Sequence, residues 1–309
     1  MPQASAVLVE PAFSVPARLG ESPLWHPTEQ CLYYVDIAAH RVMRWHPGDV
    51  APEAFELDGE PGCIAVVADT SGGGLLAAQR NGLWHLDTRT GQRRLLAPPP
   101  FDPARQRFND GKPDALGRMW VGTIDDARQP EAALYRFEAG QFTRMAGGIS
   151  NSNGLAWSPD QKTLYWADTK GHVIYRLPFD LALGSIASDE SARQVYAQFE
   201  PRQALASPGL YGGRPDGAAV DSQGCYWVAM YEGARLLRLS PAGEVLQVVP
   251  LPVQCPTMPC LGDADLRTLY VTTACEGRSA EELASQPWAG CVLKFRVDVP
   301  GLPARQVRL

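Results

Sequence analysis

The chain has 309 residues, 45% of them hydrophobic and 20% charged, so it is long enough to bury a large core and is not expected to be disordered. Its formal net charge is −6 and no block of like charges occurs, which argues against a nucleic acid or an anionic membrane as a partner. The N-terminal residues MPQASAVLVEPAFSV lack the basic and apolar stretches of a signal peptide, and no apolar run could span a bilayer, so a cytoplasmic location is predicted.

The seven cysteines are odd in number and show no short paired framework. This pattern favours reduced, mostly buried thiols over disulfides. Cys255 and Cys260 form the only close pair, and their spacing is not that of a zinc ribbon or a thioredoxin motif. The sequence also contains no GxSxG elbow and no P-loop, so neither a serine hydrolase of that type nor a nucleotide site is indicated.

Short runs of β-branched and aromatic residues, separated by 29 glycines and 27 prolines, indicate an all-β chain without long helices. Six of these runs resemble one another, and each follows a polar turn. In chain order they are LYYVD at 32–36, LLAAQ at 75–79, MWVGT at 119–123, LYWAD at 164–168, YWVAM at 226–230 and LYVTT at 269–273. They indicate an internal repeat.

The repeat has the period of a propeller blade. One residue of each run serves as a marker, and the markers are Tyr34, Leu76, Trp120, Tyr165, Trp227 and Tyr270. Successive markers are 42, 44, 45, 62 and 43 residues apart, close to the period of a four-stranded blade. The longer interval contains an insertion of roughly 18 residues between His172 and Gly213, where LALGSIASDES and EPRQALASPG are predicted to be loop.

Six repeats predict an all-β fold, a six-bladed β-propeller with four-stranded blades that forms a single domain over residues 1–309. Such a ring leaves few exposed sheet edges. We expect it to close when a terminal strand, Ala6 to Phe13 or Ala304 to Leu309, pairs into the last blade.

The first strand of each blade lines the central channel, so residues at one end of these strands should share one mouth. The position eleven to thirteen residues before each marker is that end. It is occupied by Glu21, Cys63, Asn109, Asn153, Asp216 and Pro259. Four of the six are polar.

Glu21, Asn153 and Asp216 in one register would form an oxygen ligand set for a divalent cation. Two carboxylates held close together would also repel each other unless a positive charge lay between them. The alternative is that each polar residue caps its own strand or turn, as Asn and Asp often do. Independent turn formers need not share one position, which favours the metal site.

Four stretches in the chain carry a family resemblance: LGESPLWHP, RFNDGKPDALGRMWVGT, SNGLAWSPDQKTLYWADT and PDGAAVDSQGCYWVAMY. In this order they resemble the sugar-lactonase family that includes gluconolactonase and regucalcin (senescence marker protein). The resemblance implies a six-bladed propeller that hydrolyses aldonolactones with one divalent metal ion in the channel mouth. It also implies a small sugar lactone such as glucono-, xylono-, arabinono- or galactonolactone as substrate, and a monomer or small homo-oligomer.

The resemblance further implies roles for individual residues. The metal ligands would be Glu21, Asn153 and Asp216, and the ion would be Ca²⁺, Zn²⁺, Mn²⁺ or Fe²⁺. Arg107 and Asn109 would contact the substrate. Many relatives carry an acidic residue that reaches the sugar a few positions after the GT of the third blade; here that position is Asp126 or, on another alignment, Ala127.

The ligand set also indicates a chemistry. A metal ion with three protein ligands keeps open positions for water and a carbonyl oxygen. Asp216 is the candidate general base, and a metal-bound hydroxide acting without it is the alternative. Arg107 could add charge-assisted hydrogen bonds to the lactone.

Three other functions remain open at this point. A calcium-binding regulatory protein of the regucalcin type would use the same ligands but would give Arg107 and Asn109 no role. A propeller esterase or phosphotriesterase would differ in its substrate. A protein-interaction platform is disfavoured, because the polar residues cluster at one mouth rather than over a broad face.

Overall fold

The computed structural model describes residues 7–187, 192–204 and 211–309, and these fold almost entirely into β-strands. The strands form six sheets arranged as a ring, so the prediction of a six-bladed β-propeller with four-stranded blades is confirmed. Within these described ranges the helical segments are short: one α-helix, Ala280–Ser285, and single turns of 3₁₀ helix. No helix in the described part of the chain is long and apolar enough to cross a membrane.

Within each blade the strands pair antiparallel, from the channel outward. Blades 1 to 3 comprise β2 (Gly20–His26), β3 (Cys31–Asp36), β4 (Arg41–Trp45) and β5 (Glu53–Glu56); β6 (Pro61–Val67), β7 (Leu75–Gln79), β8 (Gly82–Leu86) and β9 (Arg93–Ala97); and β10 (Gln106–Pro113), β11 (Met119–Asp125), β12 (Ala132–Glu138) and β13 (Gln141–Ile149). Blades 4 to 6 comprise β14 (Ser152–Trp157), β15 (Thr163–Asp168), β16 (Val173–Asp180) and β18 (Gln194–Gln198); β19 (Arg214–Val220), β20 (Tyr226–Tyr231), β21 (Arg235–Leu239) and β22 (Val245–Pro250); and β23 (Pro256–Gly262), β24 (Thr268–Thr273), β25 (Leu293–Arg296) and β1 (Glu10–Pro11).

The N-terminal strand closes the ring. Glu10 of β1 pairs with Lys294 of β25, which makes β1 the fourth strand of blade 6. The N-terminal alternative is therefore confirmed from Glu10 to Pro11, whereas the predicted start at Ala6 lies outside the described residues. The C-terminal alternative is wrong, because β26 (Gln306–Val307) pairs parallel with β6 in blade 2.

The insertion in blade 4 is partly strand rather than loop. The short strand β17 (Ser185–Ile186) pairs with the end of β16, within the stretch predicted to be loop. A 3₁₀ turn, Arg202–Ala204, lies in the second predicted loop. Residues 188–191 and 205–210 of the insertion lie outside the described part.

The inner two strands of each blade are buried along almost their whole length, and side chains of neighbouring blades pack against each other. Between blades 3 and 4, Trp120 contacts Trp157 and Phe179 edge-to-face, with ring centroids 6.2 and 5.5 Å apart. All seven cysteines are unpaired, and six of them are buried. The core is thus a series of apolar layers, each between two neighbouring blades.

Two blades carry the same buried ion pair. In blade 5 the fully buried Asp221 accepts hydrogen bonds from Trp227 Nε1 at 3.1 Å and from Arg238 Nε at 2.8 Å. In blade 3 Asp114 accepts from Trp120 Nε1 at 3.0 Å and from Arg118 Nε at 2.6 Å. Each carboxylate therefore connects residues of its own blade through hydrogen bonds.

Replacing Asp221 by Ala should destabilise the protein, because the mostly buried Arg238 loses its ion-pair partner. Breaking a buried pair in this way costs about 3–5 kcal/mol. Denaturant titration followed by tryptophan fluorescence measures the change, with Asp298→Ala at an exposed position as the control. A loss below about 1 kcal/mol would contradict the role assigned to Asp221, since surface substitutions change stability by about half that amount.

Candidate functional site

A bulge interrupts the first strand of every blade at the same end. The register shifts lie between Glu21 and Leu24, Pro61 and Cys63, Phe108 and Gly111, Asn153 and Ala156, Pro215 and Ala218, and Pro256 and Met258. A bulge leaves residues unpaired and re-aims their side chains. Six bulges at one level therefore direct side chains into one mouth of the channel.

Strand pairing identifies which residues are equivalent. In each blade, the first residue of the repeated run on the second strand pairs with one residue of the first strand. These first-strand partners are equivalent, and they are Trp25, Val66, Pro113, Trp157, Val220 and Leu261. The residues four positions before them are therefore equivalent too: Glu21, Gly62, Asn109, Asn153, Asp216 and Thr257. The predictions for blades 2 and 6, Cys63 and Pro259, are thus wrong by one and two residues.

Blades 2 and 6 contribute no side chain to the lining of the cavity described below. A Cβ on Gly62 would lie 2.2 Å from the carbonyl oxygen of Phe108, so only glycine allows the backbone before Asn109 to come this close. The Thr257 hydroxyl is occupied, because it donates to the Gly20 carbonyl at 2.6 Å. The other four blades present the polar side chains.

These four side chains line one cavity of about 320 Å³. Its lining consists of Leu19, Glu21, Ile37, Arg107, Asn109, Ile124, Arg128, Asn151, Asn153, Thr169, Lys170, Arg214, Asp216 and Tyr231. Six residues were given metal or substrate roles from the sequence, and the structure brings five of them together: Glu21, Arg107, Asn109, Asn153 and Asp216. Asp126 is not part of this lining.

A chain of hydrogen bonds orders the polar residues across three blades. Arg107 Nη1 donates to Asn109 Oδ1 at 2.7 Å, and Asn109 Nδ2 donates to Asn153 Oδ1 at 2.8 Å. Asn153 Nδ2 in turn donates to Asp216 Oδ1 at 2.6 Å and to the Thr169 hydroxyl at 2.7 Å. All these side chains are buried, so the network fixes their orientation.

Residues with a left-handed backbone hold two of the bulges. Ser22, next to Glu21, has a φ of 48° although it is not glycine. Its N–H donates to Glu21 Oε2 at 2.9 Å, and its hydroxyl accepts from the Ile64 N–H at 3.0 Å. In blade 4 the equivalent position is Gly154, with a φ of 61°. Strained backbone of this kind persists where the surroundings impose it, often at functional sites.

The two carboxylates of the cavity are costly to ionise. Burial, together with the charges of Asp216 and Asp110, raises the pKa of Glu21 well above its ordinary value. Burial and the charge of Asp110 raise the pKa of Asp216 to about 8, although Arg214 opposes the shift. A cation between Glu21 and Asp216 would favour the ionised form of both.

The donor set fits a divalent metal ion. Two carboxylates and one amide are oxygen ligands of the kind that Ca²⁺, Mn²⁺ and Zn²⁺ accept. The Asn153 amide oxygen accepts one hydrogen bond from Asn109 and keeps a second lone pair for a ligand bond. The described residues contain no cluster of three or more His, Cys, Asp and Glu side chains placed to hold a metal, so a site here depends on the amide.

The sequence matches the family model described as SMP-30/Gluconolactonase/LRE-like region over residues 19–275. This chain belongs to that family. The resemblance drawn from its four motifs is therefore confirmed.

Individual members of the SMP-30/gluconolactonase family match over nearly their whole length. The chain is 44% identical to a 6-deoxy-6-sulfogluconolactonase of Pseudomonas putida over 288 residues, 93% of this chain and 94% of that protein. It is 33% identical to the regucalcin of Gallus gallus, over 97% of this chain and 98% of that one. A crystal structure of a calcium-binding regucalcin from Agrobacterium tumefaciens superposes with a TM-score of 0.88 at 25% identity, covering 98% of both chains.

The family's acidic sugar contact has no evident counterpart in the cavity. The Asp126 carboxylate pairs with Arg80, at 2.9 Å from Nη1, and is exposed. Arg80 also pairs with Glu60, so Asp126 is one of two carboxylates that hold the Arg80 guanidinium. The neighbouring alternative, Ala127, has no polar side chain. Neither residue lines the cavity.

Several residues in or beside the cavity were not assigned to the site from the sequence. Asp110, next to Asn109 but outside the cavity lining, is buried; its Oδ2 accepts from the Leu155 N–H at 2.8 Å, and its Oδ1 has no hydrogen-bond partner among the described residues. Three cationic residues, Arg128, Lys170 and Arg214, line the cavity itself. They come from turns and a strand end, which show no periodic pattern.

Proposed function

We propose that this protein is a lactonase that opens aldonolactones to the corresponding acids, with one divalent metal ion held by Glu21, Asn153 and Asp216. The observation that carries this is the convergence of an oxygen ligand set with Arg107 and Asn109 in one cavity. Extended identity to a named lactonase supports the same reaction type.

Arg107 and Asn109 bind and orient the lactone in this proposal. The Arg107 guanidinium is buried and already fixed by its bonds to Asn109 Oδ1 and to the Phe108 carbonyl, at 2.7 and 2.9 Å. A fixed donor adds charge-assisted hydrogen bonds where negative charge develops on the carbonyl oxygen. A bound divalent cation would supply Lewis acidity and lower the pKa of water at the site.

Asp216 is the proposed general base. Its Oδ1 accepts from Asn153, which leaves Oδ2 free to take a proton. Attack of water on the lactone carbonyl, with the proton passing to Asp216, gives a tetrahedral species. Its collapse breaks the ring C–O bond, and the proton returns to the ring oxygen as a hydroxyl. The products are one carboxylic acid and one alcohol within the same molecule.

Metal replacement with a lactone panel tests the proposal. Protein freed of metal with a chelator should show little acid release, and adding Ca²⁺, Mn²⁺, Zn²⁺ or Fe²⁺ should restore turnover of at least one of glucono-, xylono-, arabinono- and galactonolactone. Acid release is followed in a weakly buffered solution with a pH indicator. The matched control is Glu21→Gln, which removes one proposed metal ligand. If no metal accelerates any lactone, the proposal is wrong.

A calcium-binding regulatory role of the regucalcin type is the second candidate. It is favoured by the likeness to the A. tumefaciens calcium-binding structure, and it would use the same three ligands. Calcium binding by calorimetry without turnover of any lactone would select this role. Turnover of an aryl ester or a phosphotriester without lactone turnover would instead indicate a different hydrolase in the same site.

A further inference from the structure

The rim of the site cavity is cationic although the protein is acidic overall. Arg128, Lys170 and Arg214 line the cavity that also holds Asn153 and Asp216. They come from blades 3, 4 and 5 in succession: Arg128 follows β11, Lys170 follows β15 and Arg214 begins β19. With a chain net charge of −6, three cations on one side of one cavity are a local feature rather than a property of the whole surface.

Two of these cations have no carboxylate of their own. Arg128 and Lys170 form no ion pair within 4.0 Å in the described part of the chain, whereas the nearby Asp126 is bound to Arg80. Lys170 Nζ donates to the Arg128 carbonyl at 2.8 Å, which links the two turns. Arg128 Nη1 reaches only the Asp125 carbonyl, at 3.4 Å. Both charges therefore keep free donors.

Arg214 has only a shared counter-charge. It lies 3.5 Å from Glu232, and the same carboxylate also contacts Arg278 at 3.5 Å and Arg202 at 3.9 Å. The Tyr231 ring lies 5.2 Å from the Arg214 guanidinium carbon and holds its side chain at the cavity wall. Arg278 also pairs with Glu282, at 3.6 Å, so three guanidinium groups share two carboxylates and a net positive charge remains.

Arg107 adds a further cation deeper in the cavity. Burial, together with the charges of Arg128 and Arg80, lowers the pKa of Arg107 to about 10, although the charge of Glu60 opposes the shift. If a divalent ion balances Glu21 and Asp216, the remaining cations have no counter-charge inside the cavity. A ligand with a negative charge would supply it.

We propose that the substrate is a lactone with an anionic group at the end of its carbon chain remote from the lactone carbonyl. Arg128, Lys170 and Arg214 bind this group, while Arg107 and Asn109 hold the lactone. The assignment rests on the proposed lactonase function. A sulfonate, a phosphate or a carboxylate offers the same chemistry of oxyanion to cationic donors.

Paired substrates test the inference. kcat/KM is measured for glucono-1,5-lactone and for its 6-phospho, 6-deoxy-6-sulfo and 6-carboxylate analogues, with the activating metal present. The wild-type protein should prefer at least one anionic lactone by about tenfold or more, and the preference should shrink as salt rises. The three anionic analogues show which oxyanion is favoured.

Substitutions then locate the anion site. The double variant Arg128→Gln/Lys170→Gln should reduce the ratio of anionic to neutral kcat/KM by about tenfold or more, mainly through KM. Arg89→Gln makes the same type of charge change at a side chain that is 82% exposed and outside the cavity, and it should leave the ratio unchanged. An equal kcat/KM for neutral and anionic lactones, or an unchanged ratio in the double variant, would overturn the inference.

A binding measurement separates this inference from the lactonase function. Calorimetry with 6-phosphogluconate and with 6-deoxy-6-sulfogluconate, two anionic acids that need no turnover, should show binding to the wild-type protein and at least about tenfold weaker binding to the double variant. Absence of turnover with any lactone would overturn the function alone if this binding persists. Absence of binding to both acids would overturn the anion site even if neutral lactones are hydrolysed.

Discussion

Asp216→Asn is expected to lower kcat/KM for the best lactone by about 10³-fold or more, because it removes both a metal ligand and the proposed base. Asn keeps the acceptor for the Asn153 Nδ2 hydrogen bond of 2.6 Å, so the cavity should retain its shape. Calorimetric titration with the activating metal should show loss of most of the binding. A variant that keeps more than a tenth of the wild-type kcat/KM would contradict the assignment of Asp216.

The same variant should not be less stable without metal. Since the pKa of Asp216 is raised to about 8 from an ordinary value of 3.8, mainly by burial, the folded protein holds a proton that the unfolded chain releases between these values. The wild-type free energy of unfolding therefore falls as pH rises from about 4 to about 8. Asn does not titrate, so its advantage over Asp should grow across this range. Thermal melts of the metal-free proteins between pH 5 and 8 measure it and show that lost activity is not lost folding.

Arg107→Ala is expected to lower kcat/KM by about 10²- to 10³-fold while metal affinity stays close to that of the wild-type protein. The guanidinium contacts Asn109 and the Phe108 carbonyl but none of the three proposed ligands, so its loss affects the lactone and not the ion. Steady-state kinetics and metal calorimetry on one preparation give both values.

Arg107→Lys is the matched control for charge. Lys keeps a positive charge but cannot reproduce the planar fork of donors, so an intermediate kcat/KM is expected. If both Arg107 variants kept full turnover, Arg107 would have no part in substrate binding, and a calcium-binding role would gain support. If Arg107→Ala abolished metal binding as well, the division between ligand and substrate residues would be wrong.

The number of blades could be predicted because it depends only on the number of repeats in the sequence. An error of one or two residues in a marker such as Tyr34 or Tyr270 does not change that number. The channel-facing position requires single-residue accuracy, and the distance from it to the marker varies. Asn109 lies 11 residues before Trp120, whereas Thr257 lies 13 before Tyr270.

The turn between the first two strands causes that variation, because its length differs from blade to blade. The bulge does not add to it, since every first strand has a bulge and the channel-facing residue lies the same number of residues before the turn in each blade. Four cavity residues could be identified because polar side chains are unusual at the channel-facing position of the first strands. They are Glu21, Asn109, Asn153 and Asp216. Gly62 was missed because its role is to let the Phe108 backbone approach, which no spacing rule reports.

The cationic rim could not be predicted because its members share no sequence period. Arg128 and Lys170 follow the second strands of consecutive blades, but Arg214 precedes a first strand. Only the closed ring brings them to one cavity. The pairing of Asp126 with Arg80, which changes how the rim is charged, likewise joins residues from different blades.

The closure of blade 6 by β1 has a consequence for how the chain folds. Glu10 and Lys294 pair although they are separated by nearly the whole described chain, so the ring is completed only by a contact of very long sequence separation. Contacts of this kind slow folding, because the entropy of closing the intervening loop is lost before the contact forms. Blades 1 to 5 can each form from consecutive strands, and the edge of β25 stays open to pairing until β1 docks.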